Sequence, residues 1–152
     1  MDGRGTIIST VDFVKEVATF CGWDGEKSPR NRKFLSDLKD LLTEWAQVPY
    51  NDVIKKAENF ADDLKIMGIE GEPVIFVMCR EPEEIKRFEE LVGAKSVIVH
   101  RTEMENLEQS NHADSEVFNH SYHIEVYNDS TLETLEALST EFLNYCKEVG
   151  FI

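Results

Sequence analysis

The sequence has few of the features that mark nucleic-acid-binding, membrane or secreted proteins. Its 152 residues include 16 basic against 30 acidic ones, and the resulting formal charge of -14 disfavours binding to a phosphate backbone or to anionic lipid. No apolar run approaches the ~20 residues of a membrane-spanning helix, and the N-terminus does not have the pattern of a signal peptide. We therefore expect a cytoplasmic protein that binds neither nucleic acid nor membranes directly.

Cysteines and catalytic motifs are also scarce. The cysteines, Cys21, Cys79 and Cys146, are odd in number and lie among apolar residues, which favours reduced core thiols over a disulfide framework or a zinc site. The sequence contains no G-x-x-x-x-G-K-[ST], H-E-x-x-H, C-x-x-C or nucleophile elbow. It predicts no metal and no cofactor, and it favours a protein that is not an enzyme.

Hydrophobic periodicity predicts a single α/β domain over residues 1–152, in which strands and helices alternate. Strands are predicted at Gly5–Ser9, Pro73–Cys79, Ser96–His100 and Tyr122–Tyr127. Helices are predicted after Ser9 or Thr10, after Ser28, from about Tyr50 to Lys65, from Pro82 to Gly93 and from Thr131 to Val149. The continuous apolar run of the second strand is typical of a strand covered on both faces in a mostly parallel sheet.

Capping residues locate the ends of these helices, and the spacing of apolar residues predicts their inward faces. Ser28 followed by Pro29 is typical of a helix start, and Asp129 or Ser130 is expected to cap the last helix. Apolar residues at helical spacing are expected to face inward. In the helix after Ser28 they are Phe34, Leu35, Leu38, Leu41, Leu42 and Trp45, and in the helix from Pro82 they are Ile85, Phe88 and Leu91.

Two basic features occur where α/β proteins place ligands. Arg80 directly follows the strand Pro73–Cys79, where it could clamp a phosphate or pair with a nearby glutamate. A second group surrounds the start of the helix after Ser28, where a helix N-terminus and basic side chains favour an anion, although a solvated helix face explains the same pattern. Its members are Asp24, Lys27, Arg30, Arg32 and Lys33.

Three of the four histidines lie between Asn111 and His123 together with Asp114, in the patterns His-x-Asp and His-x-x-His. Such spacing suits metal ligation where the imidazoles converge, and a polar loop accounts for it equally well. His100 ends a strand, which favours a hydrogen-bonded packing role.

Several segments, taken together, resemble one protein family. They are Ser9–Ala18, Gly22–Lys27, Arg32–Glu44, Val77–Ile85, Asn111–Phe118, Tyr122 and Asn128–Leu135. These segments resemble the phage and bacterial deoxynucleoside-monophosphate kinase-like family of P-loop proteins. The resemblance covers nearly the whole chain.

The resemblance implies a truncated P-loop-kinase-like fold, with a mostly parallel sheet of about four strands and helices on its faces. It also implies that the chain lacks the family's first strand, P-loop and first helix. The strands Pro73–Cys79 and Ser96–His100 would then lack the partner between them, so we expect them to pair directly or to gain a contact from a second copy or another protein. Residues matching the family's acceptor-nucleotide site, which would form a vestigial groove, are Asp12, Arg30, Arg32, Asp37 and Arg80.

The second half of the chain is strongly acidic. Beyond Arg101 it contains one basic residue, Lys147, against eleven acidic ones. Such a region is poorly suited to stabilising a transferring phosphoryl group, but it can imitate a row of nucleic-acid phosphates. The residues assigned to this acidic surface are Glu103, Glu105, Glu108, Asp114, Glu116, Asp129, Glu133 and Glu136.

These features favour a non-catalytic, protein-binding module. Its partner would be a nucleic-acid-binding protein with a basic groove, as for a phage inhibitor of host defence of the anti-CRISPR type. Simple solubility is the plainer explanation of the acidity. The alternative function is a nucleotide-binding remnant of a deoxynucleoside-monophosphate kinase, in which Arg80, Arg30 and Arg32 make bidentate phosphate contacts.

Overall fold

A computed structural model describes residues 3–101, 116–129 and 131–152, apart from the side chain of residue 133. The described chain contains five α-helices and four short strands. The strands form two sheets of two strands each, and both pairs are parallel. The predicted α/β class is therefore confirmed, whereas a single sheet of about four strands is not.

The chain divides into two compact units, Met1–Cys79 and Arg80–Ile152. The first unit contains β1 (Gly5–Ser9), α1 (Asp12–Phe20), α2 (Pro29–Ala46), α3 (Val48–Ile66) and β2 (Val74–Met78). The second contains α4 (Pro82–Val92), β3 (Val97–His100), a 3₁₀ turn (Val117–Asn119), β4 (Ile124–Tyr127) and α5 (Leu132–Glu148). The expectation of one domain over residues 1–152 stays a prediction.

In the first unit, β1 and β2 pair in register from Gly5 opposite Val74 to Ser9 opposite Met78, without a bulge. The three helices between these strands provide the long connection that a parallel pair requires. Helices α1, α2 and α3 pack against one another, and α3 also contacts β1. The buried apolar residues of this core are Ile8, Val14, Ala18, Val53 and Leu64.

In the second unit, β3 and β4 pair in register from Val97 opposite Ile124 to His100 opposite Tyr127. The buried apolar residues of this unit are Ile85, Phe88, Ile98 and Cys146. The His100 ring stacks on Tyr127, with ring centroids 4.7 Å apart, and on Phe118 at 5.9 Å. The packing expected for His100 is therefore confirmed, whereas the hydrogen bond expected of it stays a prediction.

The helix ends follow the predicted signals in part. The Ser28 hydroxyl accepts a hydrogen bond from the Asn31 N–H at 3.2 Å, as expected of a cap, and Gly93, with φ 68°, ends α4 in the left-handed conformation. The cap expected from Ser9 or Thr10 is wrong, because Val11 occupies the cap position of α1 without a side-chain bond. Thr131 occupies the cap position of α5, so the cap expected from Asp129 is wrong, and the alternative, Ser130, lies outside the described residues.

The predicted covering of β2 on both faces is wrong. Its residues are half-buried and Met78 is exposed, because the described helices of this unit pack mainly on one another and on β1. In the described residues β2 pairs with β1 and β3 pairs with β4. The direct pairing of Pro73–Cys79 with Ser96–His100 is therefore not observed, and a contact supplied by another chain stays a prediction.

The cysteines differ from the expected core thiols. Cys146 is buried and Cys79 is half-buried, but Cys21 is exposed. Cys21 follows the last residue of α1, where the adjacent Phe20 is also exposed. Burial raises the pKa of the Cys146 thiol, which keeps it in the less reactive protonated form.

We therefore expect Cys21 to react rapidly with Ellman's reagent in the native protein, and Cys146 to react only after addition of denaturant. The measurement is the time course of thiol release at neutral pH. Cys21→Ser should remove the rapid phase. Equal rates for Cys21 and Cys146 under native conditions would show that the burial of Cys146 is incorrect.

Candidate functional site

The residues predicted to form a nucleotide groove have separate surroundings. Asp12 lines a cleft beside β1, and its Oδ2 accepts a hydrogen bond from the Ser9 N–H at 2.9 Å. Arg30 and Arg32 are exposed on the first turn of α2, and neither lines this cleft. Asp37 forms an ion pair with Lys33 at 2.8 Å. Arg80, the fifth candidate, follows β2 and is exposed.

The loop before α2 stabilises itself through Asp24. Its Oδ1 accepts hydrogen bonds from the Glu26 N–H at 3.0 Å and from the Asn31 side-chain amide at 3.3 Å. The Arg32 Nε donates to the Lys27 carbonyl at 3.2 Å. Part of the group predicted to bind an anion thus makes local structural contacts.

Half of the predicted acidic surface lies outside the described residues. These residues are Glu103, Glu105, Glu108 and Asp114. Asp129 and Glu136 are exposed and Glu116 is half-buried, while Glu133 belongs to α5 but its side chain is not described. The described side chains of this surface are therefore two exposed carboxylates and one half-buried carboxylate, and the acidic surface stays a prediction.

Helix α2 presents an apolar stripe to solvent, formed by Phe34, Leu38, Leu41 and Trp45. These positions follow a 4-3-4 spacing, which places them on one face of the helix. Trp45 is 82% exposed, Leu41 62% and Phe34 38%, while Leu38 is half-buried. The expectation that Phe34, Leu41 and Trp45 face inward is therefore wrong.

A neighbouring face of α2, about 100° around the helix from the stripe, is the more buried one. Lys39 is the buried residue of this helix, and Leu35 and Leu42 are half-buried. Leu91 of α4, which was also predicted to face inward, is likewise exposed. The apolar pattern of α2 is broader than the face that its neighbours cover, so part of that pattern remains in contact with water.

A cleft of about 480 Å³ lies beside β1 in the first unit. This volume is within the range of sites that hold small ligands or the side chains of a peptide. Its walls come from β1, α1 and α3. The lining residues are Thr6, Ile7, Ile8, Asp12, Glu16, Lys56 and Phe60.

The charges of this cleft are organised around Lys56. Its Nζ lies 2.8 Å from Asp52 Oδ2 and 3.6 Å from Glu16 Oε1. The hydrogen bond with Asp52 raises the pKa of Lys56 above its ordinary value, although burial acts in the opposite direction. Lys56 is thus a fixed cation already engaged by carboxylates, and the cleft as a whole is acidic.

In the second unit, Glu89 brings together the two histidines of the His-x-x-His pattern. Its Oε1 lies 3.0 Å from His120 Nε2 and 3.2 Å from His123 Nδ1. Ser96 joins the same cluster, with its Oγ 3.0 Å from His123 Nδ1. The backbone N–H of His123 donates in turn to Ser96 Oγ at 3.2 Å. This cluster attaches the segment before β4 to the end of α4.

The proton on His123 decides which contact its ring makes. Nδ1 donates to Glu89 when protonated, and it accepts from the Ser96 N–H, at 3.3 Å, when it is not.

Burial pushes the pKa of Glu89 upward, but hydrogen bonds from Ser96 and His120 and the charges of both histidines outweigh that effect. The pKa of Glu89 therefore lies below its ordinary value, and the carboxylate stays ionised at neutral pH.

Because its pKa is lower in the folded state, ionised Glu89 contributes stability above the ordinary carboxyl range. This contribution is lost as the pH falls through that range, roughly pH 4.3, towards the folded-state pKa. We expect Glu89→Gln to lower the free energy of unfolding at pH 7 by about 1–3 kcal/mol and to flatten its acid dependence. Urea denaturation between pH 3 and pH 7 measures both effects.

Glu90→Gln is the matched control for Glu89→Gln. Glu90 is exposed and pairs with Lys86 at 3.6 Å, so its loss should change stability by less than about 0.5 kcal/mol. An acid dependence of Glu89→Gln that equals the dependence of the unmodified protein would refute the assigned role of Glu89.

No protein-family model, no curated protein and no solved structure matches the chain. Within the described residues, no helix has both the length and the apolar character that crossing a membrane requires. The sequence pattern drew attention to His120 and His123 but missed Glu89, because this residue lies 31 positions before His120. The exposure of the α2 stripe had no local signal either, since apolar spacing alone does not show which faces are covered.

Proposed function

We propose that this chain is a non-catalytic, protein-binding module and that the apolar stripe of α2 is its contact surface. The observation that carries the proposal is the exposure of Trp45, Leu41 and Phe34 along one helix face. Contiguous exposed apolar residues mark contact sites in proteins, and tryptophan is enriched among the residues that dominate binding energies. An apolar helix face is recognised by a groove in the partner.

Charge supports a partner with a basic rim. Asp40 and Glu44 are exposed on α2 near Leu41 and Trp45, and the whole chain has a formal charge of -14. Carboxylates beside an apolar stripe complement a groove bordered by lysine or arginine and repel acidic surfaces. A nucleic-acid-binding protein offers such a groove. By binding there, the chain would act as an inhibitor of host defence of the anti-CRISPR type.

The experiment is an affinity capture from a lysate of the host cells, comparing three forms of the tagged protein. The first is the unmodified chain, the second carries Leu41→Asp and Trp45→Asp, and the third carries Ile66→Asp as a control. Ile66 is 83% exposed, at the end of α3 and outside the stripe, so it matches Trp45 in exposure.

We expect one protein to be retained by the unmodified chain and by Ile66→Asp, and to be lost with the stripe variant. The same protein, once purified, should bind the unmodified chain in calorimetry. Identical captured proteins for all three forms would overturn the assignment of the stripe.

A second candidate function is mononucleotide binding within a P-loop-kinase-like fold. It is favoured by the parallel pairing of both strand pairs and by Arg80, which follows the carboxyl end of β2, where α/β folds place phosphate ligands. Calorimetry with ATP and with the deoxynucleoside monophosphates tests it. Tight monophosphate binding that is lost in Arg80→Ala would contradict a function restricted to protein binding.

A further inference from the structure

The free edge of β1 has backbone groups available for another strand. The Val74 N–H donates to the Arg4 carbonyl at 2.8 Å, and the Thr10 N–H donates to the Met78 carbonyl at 3.1 Å. Because strand residues alternate in direction and the register has no bulge, Thr6 and Ile8 also direct their backbone groups towards β2. Ile7 therefore directs its N–H and C=O away from β2.

Ser9 marks one end of this free edge. By the same alternation its N–H also points away from β2, and there it donates to Asp12 Oδ2 at 2.9 Å. Asp12 thus occupies the hydrogen-bonding position that a neighbouring strand would use at Ser9. The Ile7 position before it has no such side chain among the described residues. A strand that pairs with β1 would therefore end beside Asp12.

The cleft of the first unit borders the strand that carries this edge. Three consecutive residues of β1 line it, and among them is Ile7, whose backbone groups point away from β2. Phe60 of α3 supplies an aromatic wall, and the Ile7 side chain is exposed. The site thus combines unpaired backbone groups with an apolar recess, which is the arrangement that accepts an added strand.

The charged lining selects the kind of peptide. Asp12 and Glu16 contribute two carboxylates, and the single lining ammonium, Lys56, is already paired with Asp52. The Glu16 side chain is 65% exposed and so remains accessible. A lysine or arginine of the incoming segment complements these carboxylates, whereas an acidic segment is repelled.

We propose that β1 receives an extended, basic segment of a partner protein as an added strand, paired with Ile7 and with a basic side chain directed to Asp12 and Glu16. This site goes beyond the proposed function, because it uses a surface other than the α2 stripe. The edge of β1 recognises an extended strand, whereas the α2 stripe recognises a groove in a partner. Either assignment can therefore be wrong without affecting the other.

The test uses two synthetic peptides of seven residues, one alternating valine with lysine and the other alternating valine with glutamate. Amide hydrogen exchange by NMR follows the Ile7 N–H. We expect rapid exchange of Ile7 in the free protein and at least about tenfold slower exchange with the valine-lysine peptide. The Thr6 and Ile8 amides should be protected with and without peptide, and the valine-glutamate peptide should have no effect.

Variants separate this site from the α2 stripe. Glu16→Lys should weaken peptide binding at least about tenfold, as measured by fluorescence anisotropy of the labelled peptide. The double variant Leu41→Asp, Trp45→Asp should bind the peptide as tightly as the unmodified chain. Absence of binding, or binding that leaves Ile7 exchange unchanged, would overturn the proposal. Protection of Ile7 that rises with protein concentration alone would assign the edge to a second copy and overturn it as well.

Discussion

Phe88→Ala is expected to lower the free energy of unfolding by about 3–5 kcal/mol, the largest stability effect that we predict for a single substitution. Phe88 lies on α4 and is 5% exposed, within a unit whose buried apolar residues are few. Truncation removes the burial of the ring and leaves a cavity that neighbouring side chains fill incompletely. Urea denaturation followed by circular dichroism measures the change.

Phe20→Ala is the matched control, because Phe20 is 94% exposed at the end of α1. Its free energy of unfolding should stay within about 0.5 kcal/mol of the unmodified value. If the two alanine variants were equally stable, Phe88 would not be part of a packed core, and the assignment of the buried residues of the second unit would be wrong.

A second double variant of the stripe, Leu41→Ala with Trp45→Ala, is expected to weaken binding of the protein partner by at least about 100-fold, which corresponds to roughly 3 kcal/mol. Tryptophan and leucine at the centre of a contact provide most of its apolar burial, and both side chains are exposed in the free chain. Calorimetry with the purified partner measures the loss. The melting temperature should change little, because neither side chain is part of the core.

Ile66→Ala provides the control for this variant, since Ile66 is as exposed as Trp45 but lies on α3. It should leave the affinity unchanged. Equal loss of affinity in both variants would indicate a general dependence on surface hydrophobicity rather than a defined contact on α2. Unfolding of the stripe variant would instead place Leu41 and Trp45 in the core.

Much of the secondary structure could be predicted from local signals. Ser28 with Pro29 identified the start of α2, and Gly93 identified the end of α4, because capping depends on residues within one turn. The strands were placed within about two residues of their positions, as is usual when apolar runs are short. These signals act between neighbours in the sequence, so they can be read without knowledge of the fold.

Contacts between distant residues could not be predicted in the same way. The spacing of Phe34, Leu41 and Trp45 defined one face of α2 but not whether another element covers that face. Lys39 is buried, although lysine is a residue type that is rarely buried in proteins. The Glu89 cluster and the Asp12 bond at the end of β1 likewise depend on packing, and no motif in the sequence specifies them.

The residues of the β1 cleft also divide into one that the sequence indicated and others that depend on packing. The sequence selected Asp12, which the structure places in the β1 cleft, but gave no indication of Glu16, Lys56 or Phe60 beside it. These three residues come from α1 and α3, and their convergence depends on how the helices pack on β1. Arg30 and Arg32 remained on the surface of α2, because their positions on that helix do not border the cleft.

Site-specific photo-crosslinking tests the central claim, that the α2 stripe contacts another protein, most directly. A photoreactive phenylalanine analogue is introduced at position 45 or at position 66, which are 82% and 83% exposed, and host cells that express the protein are irradiated. We predict one discrete heteromeric product from position 45 and none from position 66. The same products from both positions, or none from position 45, would contradict the assignment of the stripe as a protein-binding surface.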